Sequence, residues 1–330
     1  MTNPCQVILR RYPDGAPQQD DFELTDLRMP SAGEGEVLVE VTHLSMDPLT
    51  RVRMQETPTL GPRMPLGQCV DSRGLGRVIA SRHPAVRVGD HVFGDVGWRT
   101  HAVLAGDKAK RLDLSLGPPH LHLSVLASSG LTAFFSIHVV GAPKAGETVL
   151  IAPAAGAVGS LAGQIAKRSG AQVVGIGSGD QCRALTEDLG FDAAIDHRDL
   201  EAGLARHCPA GVDVFLDGVG GGLHDAVLGR LNPHARVILL GFISGYTEGG
   251  PPRYGAALPI LLKRARMEGF LLGDWQDRFS EAEARLSAWV KSGEIRPVES
   301  IWEGLAQAPA AFSALFGDAR PGKQIVRIDT

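Results

Sequence analysis

The sequence predicts an α/β protein of two domains, one a doubly wound parallel sheet with helices on both faces, the other rich in antiparallel strands. Three observations predict it. Strand-like and helix-like runs alternate beyond Gly146, short apolar–polar alternations broken by Gly, Pro and Asp fill the chain before Leu123, and 330 residues exceed a single small core.

In chain order, Gly35–His43 (GEVLVEVTH) alternates behind a Gly/Glu turn, so Val37, Val39 and Val41 face one side of a half-buried strand. Gly76–Ala80, His91–Val96 and Thr100–Leu104 read the same way. Ser124–His138 lacks Pro and spaces its apolar residues as a helix, ending at the Gly141–Gly146 break. Thr148–Ala152 is then followed by a helix at Ser160–Ser169, and Gln172–Ile176 by a helix at Gln181–Leu189. Further strands are expected at Ala193–Asp196, Val212–Leu216, Arg236–Leu240 and Met267–Leu272, and further helices at Ser280–Ser292 and Ala308–Phe316. Ile325–Ile328 closes the chain as a strand. Periodicity alone leaves open whether it extends the parallel sheet or returns to the first domain.

The segment Thr148–Ser160 (TVLIAPAAGAVGS) places Ala154, Gly156 and Gly159 at the three positions of a G-x-G-x-x-G turn, between a buried strand and a helix. That context points to a dinucleotide held over Ala154, Ala155, Gly156, Ala157, Val158 and Gly159. Gly156 allows close approach of a pyrophosphate, Gly159 allows helix–strand packing, and the helix start offers unpaired N–H donors. Leu161, Ala162, Ile165 and Ala166 form the buried stripe of that helix, with Gln164, Lys167 and Arg168 opposite. The second strand ends in Gly175-Ile176-Gly177-Ser178 without the carboxylate that would receive the ribose of NAD. NADPH/NADP+ is therefore the expected cofactor, with Ser178, Arg183, His197 and Arg198 available to a 2′-phosphate. Asp180 and the possibility that Arg183 is merely solvated keep NADH open.

Read with these neighbours, the chain resembles the zinc-independent medium-chain dehydrogenase/reductase superfamily, in the group of the prostaglandin, alkenal double-bond and curcumin reductases. The matching text includes LSMDPLTRVRM (Leu44–Met54), GLTAFF (Gly130–Phe135), AAGAVGSLAGQIAK (Ala154–Lys167), LGFDAAIDHR (Leu189–Arg198), FLDGVGG (Phe215–Gly221), GFISGY (Gly241–Tyr246), RARMEGF (Arg264–Phe270) and GKQIVRI (Gly322–Ile328). The resemblance implies a GroES-like β-barrel catalytic domain from residues 1–123 and 296–330, with a Rossmann NADP(H)-binding domain at 124–295 inserted, an active cleft between them, and homodimers. It adds Gly177, Gly218, Val219, Gly241, Phe242, Ile243, Ser244 and Tyr246 to the cofactor-facing loops.

Zinc-containing relatives use a Cys and a His-Glu pair, and Leu44–Leu75 has neither pattern; no metal is expected. The implied chemistry is hydride transfer from NADPH to the β-carbon of an α,β-unsaturated aldehyde or ketone. Quinone reduction and a silent nucleotide sensor are the alternatives. Tyr246 is the candidate hydroxyl, either donating to the developing oxyanion or organising the nicotinamide, against a tyrosine that only packs over Pro251 and Pro252. Asp47, Leu49 and Arg51 fall on the substrate side, Leu49 replacing the family's tyrosine, with Arg51 and Arg53 serving either substrate or structural ion pairs. Gln181 stands where the family often has Lys, Gly218 where it often has Asn, and His197-Arg198 where it has Tyr-Lys. Gly322 and Lys323 either border the nicotinamide half or flank an exposed strand.

A net charge of −4 and a pI near 6.3 give no footprint for nucleic acid or an anionic membrane. Four separated cysteines and eleven histidines show no ligand spacing, and His120 and His122 read as a solvated loop. A small-molecule enzyme in the cytoplasm is expected.

Overall fold

The computed structural model describes residues 3–59, 61–247, 257–317 and 320–328. In chain order it has β1 (Cys5–Leu9), β2 (Phe22–Asp26), β3 (Glu36–Ser45), α1 (Leu49–Val52), β4 (Arg73–Ser81), β5 (His91–Asp95), β6 (His101–Ala105) and β7 (Lys110–Arg111). The helix α2 (Ser128–Ala133) follows, then β8 (Thr148–Ala152), α3 (Gly159–Lys167), β9 (Gln172–Gly177), α4 (Asp180–Glu187), β10 (Ala193–Asp196), α5 (Leu200–His207), β11 (Val212–Asp217), α6 (Gly221–Leu228) and β12 (Leu231–Leu239). The chain continues through α7 (Ile243–Thr247), α8 (Ala257–Lys263), β13 (Arg266–Gly269) and α9 (Phe279–Lys291), and ends with β14 (Glu299–Glu303), α10 (Ala308–Ala314) and β15 (Lys323–Arg327).

Two compact units divide the chain: Met1–Leu123 with Glu299–Thr330, and Ser124–Val298. The first is a seven-stranded sheet in the order β14-β15-β3-β4-β5-β7, with β6 paired to β3 and a separate β1–β2 hairpin pair. Its pairs are antiparallel except β14–β15. This is the mixed β domain that the GroES-like resemblance implies. Val37, Val39 and Val41 are fully buried, as their alternation requires. The last strand belongs here: β15 pairs antiparallel with β3, Val326 opposite Leu44. A cluster of Phe22, Trp98 and Phe312, with ring centroids 5.1 to 6.0 Å apart, welds the C-terminal α10 into the same core.

The second unit is a six-stranded sheet in the order β10-β9-β8-β11-β12-β13, parallel throughout. Every residue of β8 is buried, because helices cover both faces and alternation carries no benefit. The strand order reverses between β8 and β11. In such sheets the ligand crevice lies beyond the strand C-termini at that reversal.

Three details depart from expectation. The single helix expected over Ser124–His138 is a short α2 followed by a π-helix at Phe134–Gly141. A Cβ at Gly130 would lie 1.8 Å from the Val125 carbonyl oxygen, so the chain before α2 crosses the helix instead of belonging to it. His120 sits in a 3-10 turn, Pro119–Leu123, with Nε2 3.6 Å from Glu299. Gln164 is buried, not solvated: its amide donates to the Ser160 and Arg296 carbonyls and accepts from Arg296 N, tying α3 to the segment after α9.

Candidate functional site

The strand order brings the turn after β8 and the loop after β11 side by side. The Gly218 N–H donates to Ala152 O at 2.7 Å, and Ala154 N–H to Ile176 O at 2.8 Å, so the turn is anchored to both neighbouring strands. Ala154 and Ala155 are buried. A Cβ at Gly175 would meet that of Ala154 at 2.7 Å, and one at Gly159 would lie 2.1 Å from Pro153 O and 2.8 Å from Ala154 Cα. Gly159 is thus required by the protein's own packing. Gly156 is not: the nearest atoms to a Cβ there are 3.9 Å away. The room above Gly156 is what a close-approaching pyrophosphate needs.

Helix α3 begins at Gly159 behind Val158 without a side-chain cap. Among the following residues Ser160 is 1% exposed, yet its hydroxyl has no protein partner. Uncapped N–H groups, an open glycine and a buried orphan hydroxyl at one helix start fit a bound phosphate group. Ser160 was not singled out from the sequence. Its signal, a polar residue at the first turn of a buried helix, is shared with many structural serines.

At the end of β9, Gln181 Oε1 accepts from both Ser178 N–H (3.1 Å) and the Ser178 hydroxyl (3.2 Å). Arg183 pairs with Asp180 at 2.9 Å, both exposed. Arg198 donates to Asp196 through Nε (2.9 Å) and a terminal nitrogen (2.6 Å), and this holds the Asp196 carboxyl well below the usual range, with help from the Arg198 and Gly179 amides. His197 Nδ1 donates to the Gly177 carbonyl at 3.1 Å. The cationic and polar groups expected around a 2′-phosphate are therefore gathered at the ends of β9 and β10, with both arginines engaged by carboxylates.

The third wall is made by the loops after β11 and β12. Ile243 N–H donates to Gly218 O (3.1 Å), and the Ser244 hydroxyl to Val219 O (2.6 Å), stitching the loops together. Tyr246 lies in α7, its ring edge-on to Phe242 at 6.0 Å, and a Cβ at Gly241 would be 3.2 Å from its hydroxyl. The hydroxyl is folded back over the end of the loop from β12. Pro251 and Pro252 lie outside the described residues.

Behind this wall is a pair the sequence did not reveal. Asp217 and His224 are fully buried, with His224 Nδ1 donating to Asp217 Oδ2 at 2.7 Å. Asp217 Oδ1 accepts from Val219 N–H (2.9 Å) and Gly220 N–H (3.0 Å). The carboxylate thereby fixes the loop Gly218–Gly220. A carboxylate ending a buried apolar strand, seven residues before a histidine, was the available signal.

In the first unit, Asp47 Oδ1 accepts from Leu49 N–H at 3.0 Å at the start of α1, and Leu49 is 46% exposed. Arg51 is buried and donates to the carbonyls of Pro13 (3.2 Å) and Gly15 (3.1 Å), so it braces a loop of its own unit instead of forming an ion pair. Arg53 pairs with Asp71. Lys323 is buried, not at an exposed edge: Nζ donates to Met46 O at 2.8 Å, and burial lowers its pKa below the ordinary lysine value.

Among the described residues no group of three or more His, Cys, Asp or Glu could hold a metal ion, and no helix is long and apolar enough to cross a membrane.

The family model described as the N-terminal domain of oxidoreductase matches residues 5–112, and that described as zinc-binding dehydrogenase matches residues 157–288. The NADPH-dependent curcumin reductase of Escherichia coli is 37% identical over 97% of this chain and 96% of its own length. Prostaglandin reductase 1 of Mus musculus is 35% identical over 97% of each. The solved structure of CurA from Vibrio vulnificus in complex with NADPH superposes with a TM-score of 0.92 at 34% identity, covering 99% of both chains. The chain belongs to the medium-chain dehydrogenase/reductase superfamily, in the group of the curcumin, prostaglandin and alkenal reductases.

Proposed function

We propose that this protein is an NADPH-dependent reductase of the C=C bond of α,β-unsaturated aldehydes and ketones that works without zinc. The carrying observation is the reversal point of the parallel sheet, where an uncapped α3, an open Gly156 and the stitched loops Gly218–Val219 and Gly241–Tyr246 meet beyond the strand C-termini. Relatives named for curcumin, prostaglandin and 2-alkenal reduction support the substrate class.

In this reading Ala154, Ala155, Gly156, Ala157, Val158 and Gly159 hold the pyrophosphate, with the Ser160 hydroxyl as an added donor. Gly177, Ser178, Arg183, His197 and Arg198 hold the adenosine end. Phe242, Ile243, Ser244 and Tyr246 border the nicotinamide. When bound, NADPH supplies the hydride and is left as NADP+. Delivered to the substrate β-carbon, that hydride would leave negative charge developing on the carbonyl oxygen, and protonation at the α-carbon would complete the saturated product. Tyr246 donates a hydrogen bond where the oxygen gains charge, or fixes the nicotinamide amide. Asp47 and Leu49 stay on the substrate side, with Arg51 bracing the loop beneath α1. The Cys and His-Glu pattern of zinc-dependent relatives is missing from Leu44–Leu75, which supports chemistry without the metal.

A homodimer and a cytoplasmic location belong to the same reading. Strand β13 is the sheet edge, and exposed Leu258, Leu261 and Leu262 lie on the preceding helix, which supports pairing there. Replacing Leu261 and Leu262 by Asp should yield monomers in sedimentation, and unchanged dimers would reject that face. All four cysteines are free, as in a reducing compartment.

Purified protein incubated with NADPH or NADH and a panel of enals, enones, quinones and saturated ketones tests the activity. Saturated carbonyl products made with NADPH are expected. Allylic alcohols, or turnover of quinones alone, would reject the proposal.

A further inference from the structure

The second unit also contains a half-open cavity of about 530 Å³, in the size range of small-molecule sites. It lies at the C-terminal end of α3, a nine-residue helix whose other end carries the dinucleotide turn, so roughly 13 Å of helix separates the two. Ile137 and Ile165 give it apolar walls, and His138, Arg168, Arg285 and Trp289 line the rest. None of these residues serves the reaction proposed above.

The electrostatics of the cavity are specific. The Arg168 guanidinium lies 4.3 Å from the centre of the Trp289 ring and pairs with Glu294. Arg285 lies 3.7 Å from Glu281, while one terminal nitrogen points at His138 Nε2, 3.3 Å away. A guanidinium can only donate, so this imidazole nitrogen accepts and the ring is neutral. Burial, followed by the Arg285 and Arg168 charges, holds the His138 pKa below its ordinary value. Arg278 adds a further cation near the ring. The two guanidiniums that line the cavity, Arg168 and Arg285, are each paired with a carboxylate, Glu294 and Glu281, while Arg278, outside the lining, shares Glu281.

The backbone is unusual at the same place. Phe134–Gly141 is wound as a π-helix and ends at Ala142 with φ 40°, a left-handed conformation that a non-glycine residue adopts at a cost. π-Helical turns recur at functional sites.

We propose that this cavity is a second ligand site for an amphipathic organic monoanion, a medium-chain carboxylate whose headgroup is held by Arg168 and Arg285 and whose chain lies against Ile137 and Ile165. Guanidinium forks retain donors that match a carboxylate, and the apolar walls need a hydrocarbon body.

The test is calorimetric titration of the full-length protein, with NADP+ present to occupy the dinucleotide site, using octanoate and 1-octanol as probes. Octanoate should bind once per chain and perturb tryptophan fluorescence, and Trp289→Phe should remove that optical change. Arg285→Ala and Arg168→Gln should each weaken octanoate about tenfold, and 1-octanol should bind at least about tenfold more weakly than octanoate. Arg285 is half exposed, so its replacement leaves the fold intact. Enone turnover without octanoate should match wild type in Arg285→Ala, which separates failure of this site from failure of the reductase reading. Equal octanoate affinity in wild type and Arg285→Ala, 1-octanol binding as tight as octanoate, or no binding heat at millimolar octanoate would overturn the proposal.

Discussion

Two glycines in one turn should respond oppositely to the same methyl group. In Gly159→Ala the new Cβ falls 2.1 Å from Pro153 O and 2.8 Å from Ala154 Cα. Both obstacles are backbone, so no rotamer change relieves them, and the turn must open by about 1 Å. Overpacking of this kind costs about 1–3 kcal/mol, partly offset by the roughly 1 kcal/mol by which Ala outranks Gly in a helix. A net loss of up to about 2 kcal/mol lowers the melting temperature of a unit this size by up to roughly 8 °C. Gly156→Ala meets nothing closer than 3.9 Å, and its stability should stay within about 0.5 kcal/mol of wild type. Its methyl nevertheless fills the space offered to the pyrophosphate, and NADPH should bind about tenfold more weakly or worse. Calorimetric melting and NADPH fluorescence titration of both variants check this. A Gly156→Ala protein that binds NADPH like wild type, or melts as early as Gly159→Ala, would refute the assignment of packing to one glycine and ligand room to the other.

Tyr246→Phe keeps the edge-on contact with Phe242 and removes only the hydroxyl. If the hydroxyl stabilises developing charge, kcat for an enone should fall about 10²-fold with little change in NADPH affinity, and unchanged kcat and KM would exclude it. Asp196→Asn releases the Arg198 fork and removes a negative charge beside Ser178. KM for NADPH should fall a fewfold while KM for NADH stays constant, and equal changes in both would place the 2′-phosphate elsewhere. Lys323 has a folded pKa below its ordinary value of 10.5, so between the two values the unfolded chain binds more protons and stability rises with pH. Lys323→Met should lack that rise when denaturant midpoints are compared from neutral pH to about pH 10.5. Parallel curves for the two proteins would show that the buried amine does not titrate in the native state.

The sequence carried local signals faithfully. The alternation at Val37, Val39 and Val41, the continuous apolar run of Thr148–Ala152 and the glycine pattern before α3 each encode a backbone geometry within a few residues, and the structure realises all three. The homology text identified the family and returned the last strand to the β domain, which periodicity had left undecided. Side-chain partners were less legible. Arg183 and Arg198 read as cations available to a phosphate, but their engagement by Asp180 and Asp196 depends on rotamers at two strand ends. Arg51 read as a substrate group or an ion-pair former, and only folding turns it toward the carbonyls of Pro13 and Gly15, far away in sequence.

By itself, then, the sequence determined the order of most strands and helices and the small-residue turn between β8 and α3, because these rest on periodicity and short contiguous motifs, while the class of chemistry was implied by the family resemblance. Tertiary structure alone decided that Asp217 and His224 hold the loop beside the turn, and that Arg168, Arg285 and His138 meet around one cavity. Those facts arise when strand order brings distant segments together, and no local pattern encodes the distance between side chains that the fold must first make neighbours.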